Sequence, residues 1–185
     1  MKRNEQNKQQ TAYDSPWSII VRLKLLLWEY IWMLLCQWTP KPLNFWRLFV
    51  LKAFGAKIHG TPFVHQRARI QIPWNLTMHH RACLGDRANA YSLGEIEIME
   101  AATVSQEAYL CSGTHDIEHE SFSLIVKKIT IGKNAFVGAR AFIMPGVIIG
   151  ENAVIGACSV VTKNVDNDQI VAGNPAKVFG TRKVK

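Results

Sequence analysis

Residues 131–165, IGKNAFVGARAFIMPGVIIGENAVIGACSVVTKNV, repeat in steps of six. Ile131, Val137, Ile143, Ile149, Ile155 and Val161 fall in register. Four places after each stands a small or β-branched residue: Ala135, Ala141, Val147, Ala153, Ser159 and Val165. An amphipathic helix repeats near 3.6 residues and a half-buried strand every two, so neither alone sustains a period of six. A fixed short period marks a solenoid, whose coils bury their apolar faces only by stacking on one another.

The same step appears upstream. It starts at Ile58 and runs through Val64, Ile70 and Leu76, with Trp74 at a small-residue position. A two-residue shift at Leu84-Gly85-Asp86 resets the phase, and Ile98, Val104 and Leu110 are again in step. Ile98-Met99-Glu100 lacks the glycine that follows the apolar residue in other repeats, which predicts a distorted coil there. The period lapses from His115 to Lys128 and resumes at Ile131. Segment 115–128 is therefore expected to be a loop leaving a rigid wall, the kind of place that carries chemistry. The solenoid is expected over 57–173, followed by a basic tail over 174–185.

The N-terminal part has a different grammar. Residues 1–16 are polar and read as a flexible tail; 17–56 read as helical. WSIIVRLKLLLWEYIWMLLCQW (17–38) predicts a helix capped by Ser15, with Pro16 in its first turn. Arg22, Lys24 and Glu29 interrupt the run, so it falls short of a membrane span. Five of the six tryptophans lie in the first 46 residues. Two readings stay open: the helix covers an end of the solenoid, or it lies on a membrane surface with Trp17, Trp28, Trp32 and Trp38 at headgroup level and Arg22 and Lys24 facing anionic lipid. Pro40 and Pro42 end it. A second helix is expected over 43–54, stopped by Gly55.

Composition narrows the partners. Lys and Arg number 22 against 14 acidic residues, a net charge of +8 and a pI near 9.5. This excess favours a phosphorylated co-substrate, an anionic membrane surface or nucleic acid, and nothing in the motifs supports the last. Cys36, Cys83, Cys111 and Cys158 form no C-x-x-C pair, so neither a zinc site nor a disulfide framework is expected, and a cytoplasmic setting is. Cys158, in the small-residue part of a repeat, reads as a packing residue.

The hexads, MPGVIIGENAVIGACSVVTKNV, the terminal AGNPAK, YLCSGTHD and the helical PLNFWRLFVLKAFGAKI together resemble the hexapeptide-repeat acyltransferases. Within them they resemble the sugar O-acetyltransferase branch that includes colanic acid acetyltransferases. The resemblance covers about residues 17–180. It implies a mainly β fold, a left-handed parallel β-helix with N-terminal α-helices, and a homotrimer binding acetyl-CoA between subunits. It implies that Ala139 and Ala157 bind the pantetheine arm, that Phe136 stands where many members carry tryptophan, and that Thr162 and Lys163 lie near the adenosine end. Lys177 has the charge to meet CoA phosphates, whereas Arg182 and Lys183 read as a solvated tail.

Moving an acetyl group from a thioester to a sugar hydroxyl needs a base for the hydroxyl proton, stabilisation of the oxyanion, and alignment of both substrates. Histidine suits the first task. His115 ends a regular hexad at the mouth of the inserted loop, and its GTHD context matches the resemblance, so it is the expected catalytic base. Asn89, Tyr91, Asp116 and His119 are the candidate acceptor contacts. No metal is expected. Two alternatives remain: a metal-dependent γ-class carbonic anhydrase-like enzyme, a branch that uses three histidines at a subunit interface, imitated here by His115 and His119 with His79 or His80, and an inactive scaffold of a polysaccharide-synthesis complex. The H-x3-H spacing of His115 and His119 departs from the H-x4-H of the carbonic anhydrase branch, and the helices have no place in it. Among acetyl acceptors, a sugar or lipid-linked saccharide of exopolysaccharide, capsule or lipopolysaccharide synthesis is favoured.

Overall fold

A computed structural model describes residues 15–183; the expected tail over 1–16 lies almost wholly outside them. Short strands alternate with tight turns and stack in parallel into three faces. The first face joins Lys57–Ile58, Leu76–Met78, Ile96–Ile98, Ile129–Ile131 and Ile148–Ile149. The second begins at Phe63–Val64 and runs through Cys83–Leu84, Thr103–Val104, Phe136–Val137 and Val154–Ile155 to a terminal hairpin, Gln169–Gly173 with Ala176–Thr181. The third joins Arg69–Ile70, Asn89–Tyr91, Tyr109–Cys111, Phe142–Ile143 and Val160–Val161.

The period of six now has a cause. The in-step residues are one per face and point inward, so each file is a column down the interior. Val64, Leu84, Val104, Val137 and Ile155 stack on the second face, all fully buried. Ala82, Ala102, Ala135 and Ala153 form a file of small residues at a corner, each bonded through its carbonyl to the coil below. Only a small side chain fits there, because the chain must turn while remaining close-packed. At most corners a non-glycine residue takes a left-handed conformation, among them Arg81, Glu107, Asn134, Arg140 and Cys158 (φ 60°, 60°, 55°, 58° and 58°). Cys158 is therefore an exposed corner residue and not the packing residue its hexad position suggested.

Spacing varies at only one corner, between the third face and the first. The in-register steps across it run Ile70 to Met78, Ala90 to Ile98, Leu110 to Ile131, Ile143 to Ile149 and Val161 to Val165, or 8, 8, 21, 6 and 4 residues. The phase shift thus lies between Ile70 and Met78, where Pro73–Asn75 makes a 3₁₀ turn, and not at Leu84. The coil carrying Met99 is regular: Ile98 is fully buried and Met99 N–H donates to the Ile131 carbonyl at 2.9 Å.

The glycines that follow inward residues do matter higher up. A Cβ on Gly138 would stand 2.6 Å from the Ile155 carbonyl oxygen and 2.7 Å from the Ala157 amide nitrogen, both backbone atoms of the next coil. Neither can swing aside, so Gly138→Ala forces coils apart and should cost about 1–3 kcal/mol. A lower urea midpoint at unchanged slope tests this.

Two helices close the N-terminal end. Helix α1 spans Ile19–Leu35 and is capped by Ser18, whose side chain accepts from Val21 N–H; Ser15 lies too far upstream. Trp28 and Trp32 face the first coil and donate their indole N–H groups to the carbonyls of Ile70 (2.7 Å) and Ala68 (3.2 Å). They are core residues, which corrects the placement of these two tryptophans at a membrane. A 3₁₀ turn, Lys41–Leu43, leads into helix α2, Asn44–Ala53. Arg47 of α2 is fully buried and donates to the carbonyls of Val64, Pro40 and Lys41 and to Thr39 Oγ1. A buried guanidinium so surrounded joins the linker, the helix and the first coil. Beside it burial pushes the Cys36 thiol up to about 11.

At the other end the expected tail is a strand. Ala176–Thr181 pairs antiparallel with Gln169–Gly173. Arg182 is no solvated charge: its Nη1 donates to the carbonyls of Asn134 and Asn152, tying two coils together.

Candidate active site

The lapse after Leu110 is a β-hairpin. Gly113–His115 runs out and Leu124–Val126 returns antiparallel, with His115 opposite Leu124. Its base is fixed by Ser112, which is fully buried and whose hydroxyl donates to the Tyr91 carbonyl and accepts from Gly94 N–H. The return leg is anchored by Lys128, whose ammonium lies 2.7 Å from Glu97 Oε2, while His79 Nε2 meets the other carboxylate oxygen at 2.9 Å.

The Glu97 carboxyl is held below its ordinary 4.5, first by the hydrogen bond from Lys128 and then by that from His79. A carboxylate whose folded pKa is depressed adds stability that is complete above its unfolded pKa and is lost as pH falls through the folded value. The stability difference between wild type and Glu97→Gln should therefore shrink as pH drops below about 4.5. Urea titrations across that range measure it.

At the hairpin tip His115 is exposed to solvent. Its Nδ1 lies 2.7 Å from the Phe122 carbonyl, and its ring stacks on the Phe122 ring at 5.2 Å and 19°. A carbonyl oxygen only accepts, so Nδ1 carries the proton and the neutral ring presents its lone pair at Nε2. The hairpin thus sets both ring orientation and tautomer. Sequence reasoning missed Phe122. Its backbone oxygen does the work, and the only sign of it is a left-handed residue (φ 47°) in a turn that strand register creates.

The other acceptor candidates divide. Tyr91 and Asn89 lie on the third face, in register with Cys111 and Tyr109 respectively. Tyr91, Tyr109 and Phe142 form a ladder of rings, 5.8 Å and 4.9 Å apart. Burial above all raises both tyrosine pKa values, that of Tyr109 to about 12, so these hydroxyls stay protonated donors at neutral pH. Asp116 and His119 are occupied within the loop. Asp116 Oδ1 accepts from Glu118 N–H, and His119 Nδ1 accepts from Ser121 N–H at 3.1 Å.

The co-substrate candidates lie on two edges. Phe136 is 42% exposed on the second face, beside a shallow cavity of about 370 Å³ lined by Thr103, Asn134, Asn152 and Arg182. Ala139 and Ala157 stack one coil apart at the corner after that face, joined where Cys158 N–H donates to the Ala139 carbonyl. Lys177 is exposed on the terminal hairpin above the same face. Thr162 and Lys163 are exposed at the corner between the third and first faces, the one from which the His115 hairpin leaves. A single chain thus puts His115 at the corner between the third and first faces, Ala139 and Ala157 at the corner after the second face, and Phe136 on the second face itself.

The histidine set of the metal alternative is dispersed. His79 pairs with Glu97 and stacks on His59, and His80 Nδ1 accepts from Thr61 N–H, both at the corner between the first and second faces. Among the described residues no three His, Cys, Asp or Glu side chains are grouped to hold a metal ion.

Comparison with known proteins agrees with this architecture. The family profile described as bacterial transferase hexapeptide (six repeats) matches residues 128–163. WcaF of Escherichia coli (strain K12), a candidate colanic acid biosynthesis acetyltransferase, is 38% identical over 160 residues, covering 86% of this chain and 88% of WcaF. This chain belongs to the hexapeptide-repeat acetyltransferase family. The family's fold is seen in a maltose O-acetyltransferase from Clostridium difficile 630, at a TM-score of 0.77 and 22% identity over 90% of both chains. It is seen again in VCA0836, a hexapeptide-repeat acetyltransferase from Vibrio cholerae O1 biovar eltor complexed with acetyl-CoA. That match has a TM-score of 0.78 and 18% identity over 90% of this chain and 91% of the other. In the present chain the repeats form the wall, and the hairpin that interrupts them carries His115.

Proposed function

We propose that this protein transfers an acetyl group from acetyl-CoA to a sugar hydroxyl, with His115 as general base. The observation that carries the reading is the orientation of His115: Nδ1 bound to the Phe122 carbonyl and Nε2 left as the proton acceptor, on an exposed hairpin. The acceptor oxygen attacks the thioester carbonyl carbon. Its proton passes to Nε2, the C–O bond forms, the C–S bond breaks, and the proton then goes to the departing CoA thiolate. Membership of the acetyltransferase family and the 38% identity to WcaF support the reaction class.

Tyr91 and Asn89, on the coil below the hairpin, orient the acceptor, with Asp116 and His119 shaping the loop beside it. Phe136, Ala139 and Ala157 line the pantetheine arm, and Thr162, Lys163 and Lys177 face the nucleotide end. Because Ala139 and Ala157 occupy a different edge of the prism from His115, while Thr162 and Lys163 share its edge, the working site is assembled between neighbouring copies of a homotrimer. The acceptor is a saccharide of exopolysaccharide, capsule or lipopolysaccharide synthesis, presented as a lipid-linked precursor at the inner face of the membrane, which the N-terminal helices touch peripherally.

Mass spectrometry of the acceptor pool from cells with and without the active protein tests the reaction. The expected result is one acetyl ester gained on a saccharide intermediate. An unchanged pool, together with purified protein that releases no CoA thiol in the presence of extracted acceptor, overturns the reading.

A further inference from the structure

Helix α1 is apolar on two opposite sides. Its inward side, with Val21, Trp28 and Trp32, is used by the first coil. At 100° per residue, the outward residues from Met33 through Leu26, Leu23, Leu34 and Leu27 to Ile20 cover an unbroken arc of about 140°. All six are exposed, Ile20 by 79%. Charge bounds the arc on both sides, Arg22 and Glu29 on one edge and Lys24 on the other. Core packing explains the first stripe and leaves the second without a partner among the described residues.

The surface continues beyond α1. Trp38 is 71% exposed, with its indole N–H satisfied by the Leu34 carbonyl, so its ring is free to face outward without an unpaired donor. Phe45 and Phe49 are exposed one turn apart on α2, next to exposed Lys52. Between residues 15 and 59 the exposed charges are Arg22, Lys24, Lys41, Lys52 and Lys57 against the single acid Glu29. No helix among the described residues is long and apolar enough to cross a membrane. An apolar arc with a cationic rim on such a helix matches an in-plane contact with lipid. Two copies of this face would instead bring its mainly cationic rim, Arg22, Lys41 and Lys52 against Glu29, onto the same set of the other, which disfavours self-association.

We infer that α1 and the outer side of α2 form an in-plane docking surface for an anionic bilayer. Leu23, Leu27, Leu34, Phe45 and Phe49 enter the acyl boundary, Trp38 lies at the headgroups, and Arg22, Lys41 and Lys52 meet lipid phosphates. This builds on the peripheral contact proposed above and moves it from the buried tryptophans to the aliphatic side of the helix.

Cosedimentation of the full chain with vesicles of 70:30 phosphatidylcholine and phosphatidylglycerol, against phosphatidylcholine alone, tests it. The expected wild-type result is binding to the mixed vesicles at least about tenfold stronger than to the neutral ones, since each cation near an anionic surface contributes about fivefold. Leu23→Glu/Leu27→Glu should lose binding to both vesicle types while keeping the wild-type melting temperature and sedimentation mass, because both positions are exposed. Arg22→Gln/Lys52→Gln should lose only the preference for phosphatidylglycerol. Brominated lipid should quench the wild-type protein's fluorescence, and Trp38→Phe should remove most of that quenching, an arm independent of the glutamate variants. Wild-type protein that stays in the supernatant overturns the inference. So does a fall in solution mass for the glutamate pair, which would make this face an interface between copies. Acetyl transfer to a soluble sugar is assayed separately: transfer without vesicle binding sinks the docking surface alone, and vesicle binding without transfer sinks the proposed reaction alone.

Discussion

His115→Ala is expected to lower the rate of acetyl transfer by about 10²- to 10⁴-fold, the range over which a positioned general base acts. The loss should fall on kcat, with the KM for acetyl-CoA changed little, because His115 sits at the hairpin and the proposed pantetheine contacts lie on another edge. It should not be structural: the side chain is exposed, and its one hydrogen bond is to a carbonyl that water can satisfy. His115→Asn is the sharper variant. It can still donate toward the Phe122 carbonyl but has no basic nitrogen, so it should be as slow as alanine. Steady-state CoA release with a purified acceptor measures all three proteins. Near wild-type turnover in either variant would remove His115 from the mechanism.

The largest stability effect is expected from Trp28→Ala. Trp28 is 1% exposed, packs against Trp32 and Phe54 at ring distances of 5.2 Å each, and gives the Ile70 carbonyl its indole hydrogen bond. Deleting the ring leaves a cavity between α1 and the first coil, typically worth about 3–5 kcal/mol. The abandoned carbonyl adds about 1–3 kcal/mol if water cannot reach it. Trp28→Phe should fall in between, keeping most of the volume and losing the bond. Leu27→Ala, one residue away on the exposed side, should move stability by no more than about 0.5 kcal/mol. Urea unfolding of the four proteins separates these cases, and equal loss for Trp28→Ala and Leu27→Ala would mean that α1 does not cover the solenoid through its tryptophans.

The wall was legible because its period arises from the packing: one inward residue per face and one small residue per corner leave a mark every six positions. The corners were harder. Cys158 and Ser159 both look like small-residue packing, yet one is exposed with positive φ and the other fully buried, a distinction made by turn geometry one residue wide. The proposed base, His115, was visible as the last residue before the period fails, but the Phe122 carbonyl was not, since a backbone acceptor carries no side-chain signature. Arg182 was misread for a related reason. A basic C-terminal stretch looks solvated until the hairpin folds back and puts the guanidinium across two coils. Trp28 and Trp32 were ambiguous because α1 is apolar on two opposite sides, and only the fold says which side meets protein.

The confinement of every spacing change to one corner bears on how such a chain diversifies. Registers on all three faces are indifferent to whether that corner is crossed in 4, 6, 8 or 21 residues. The edge therefore behaves as an insertion port: chain can be added or removed there without re-threading a single strand. The histidine hairpin is the longest occupant of a series of graded insertions along that edge. Segment 112–127 can then be exchanged for a hairpin of different length or acceptor preference while the coils above and below keep their pairing, so new specificity is gained at this edge without rebuilding the wall.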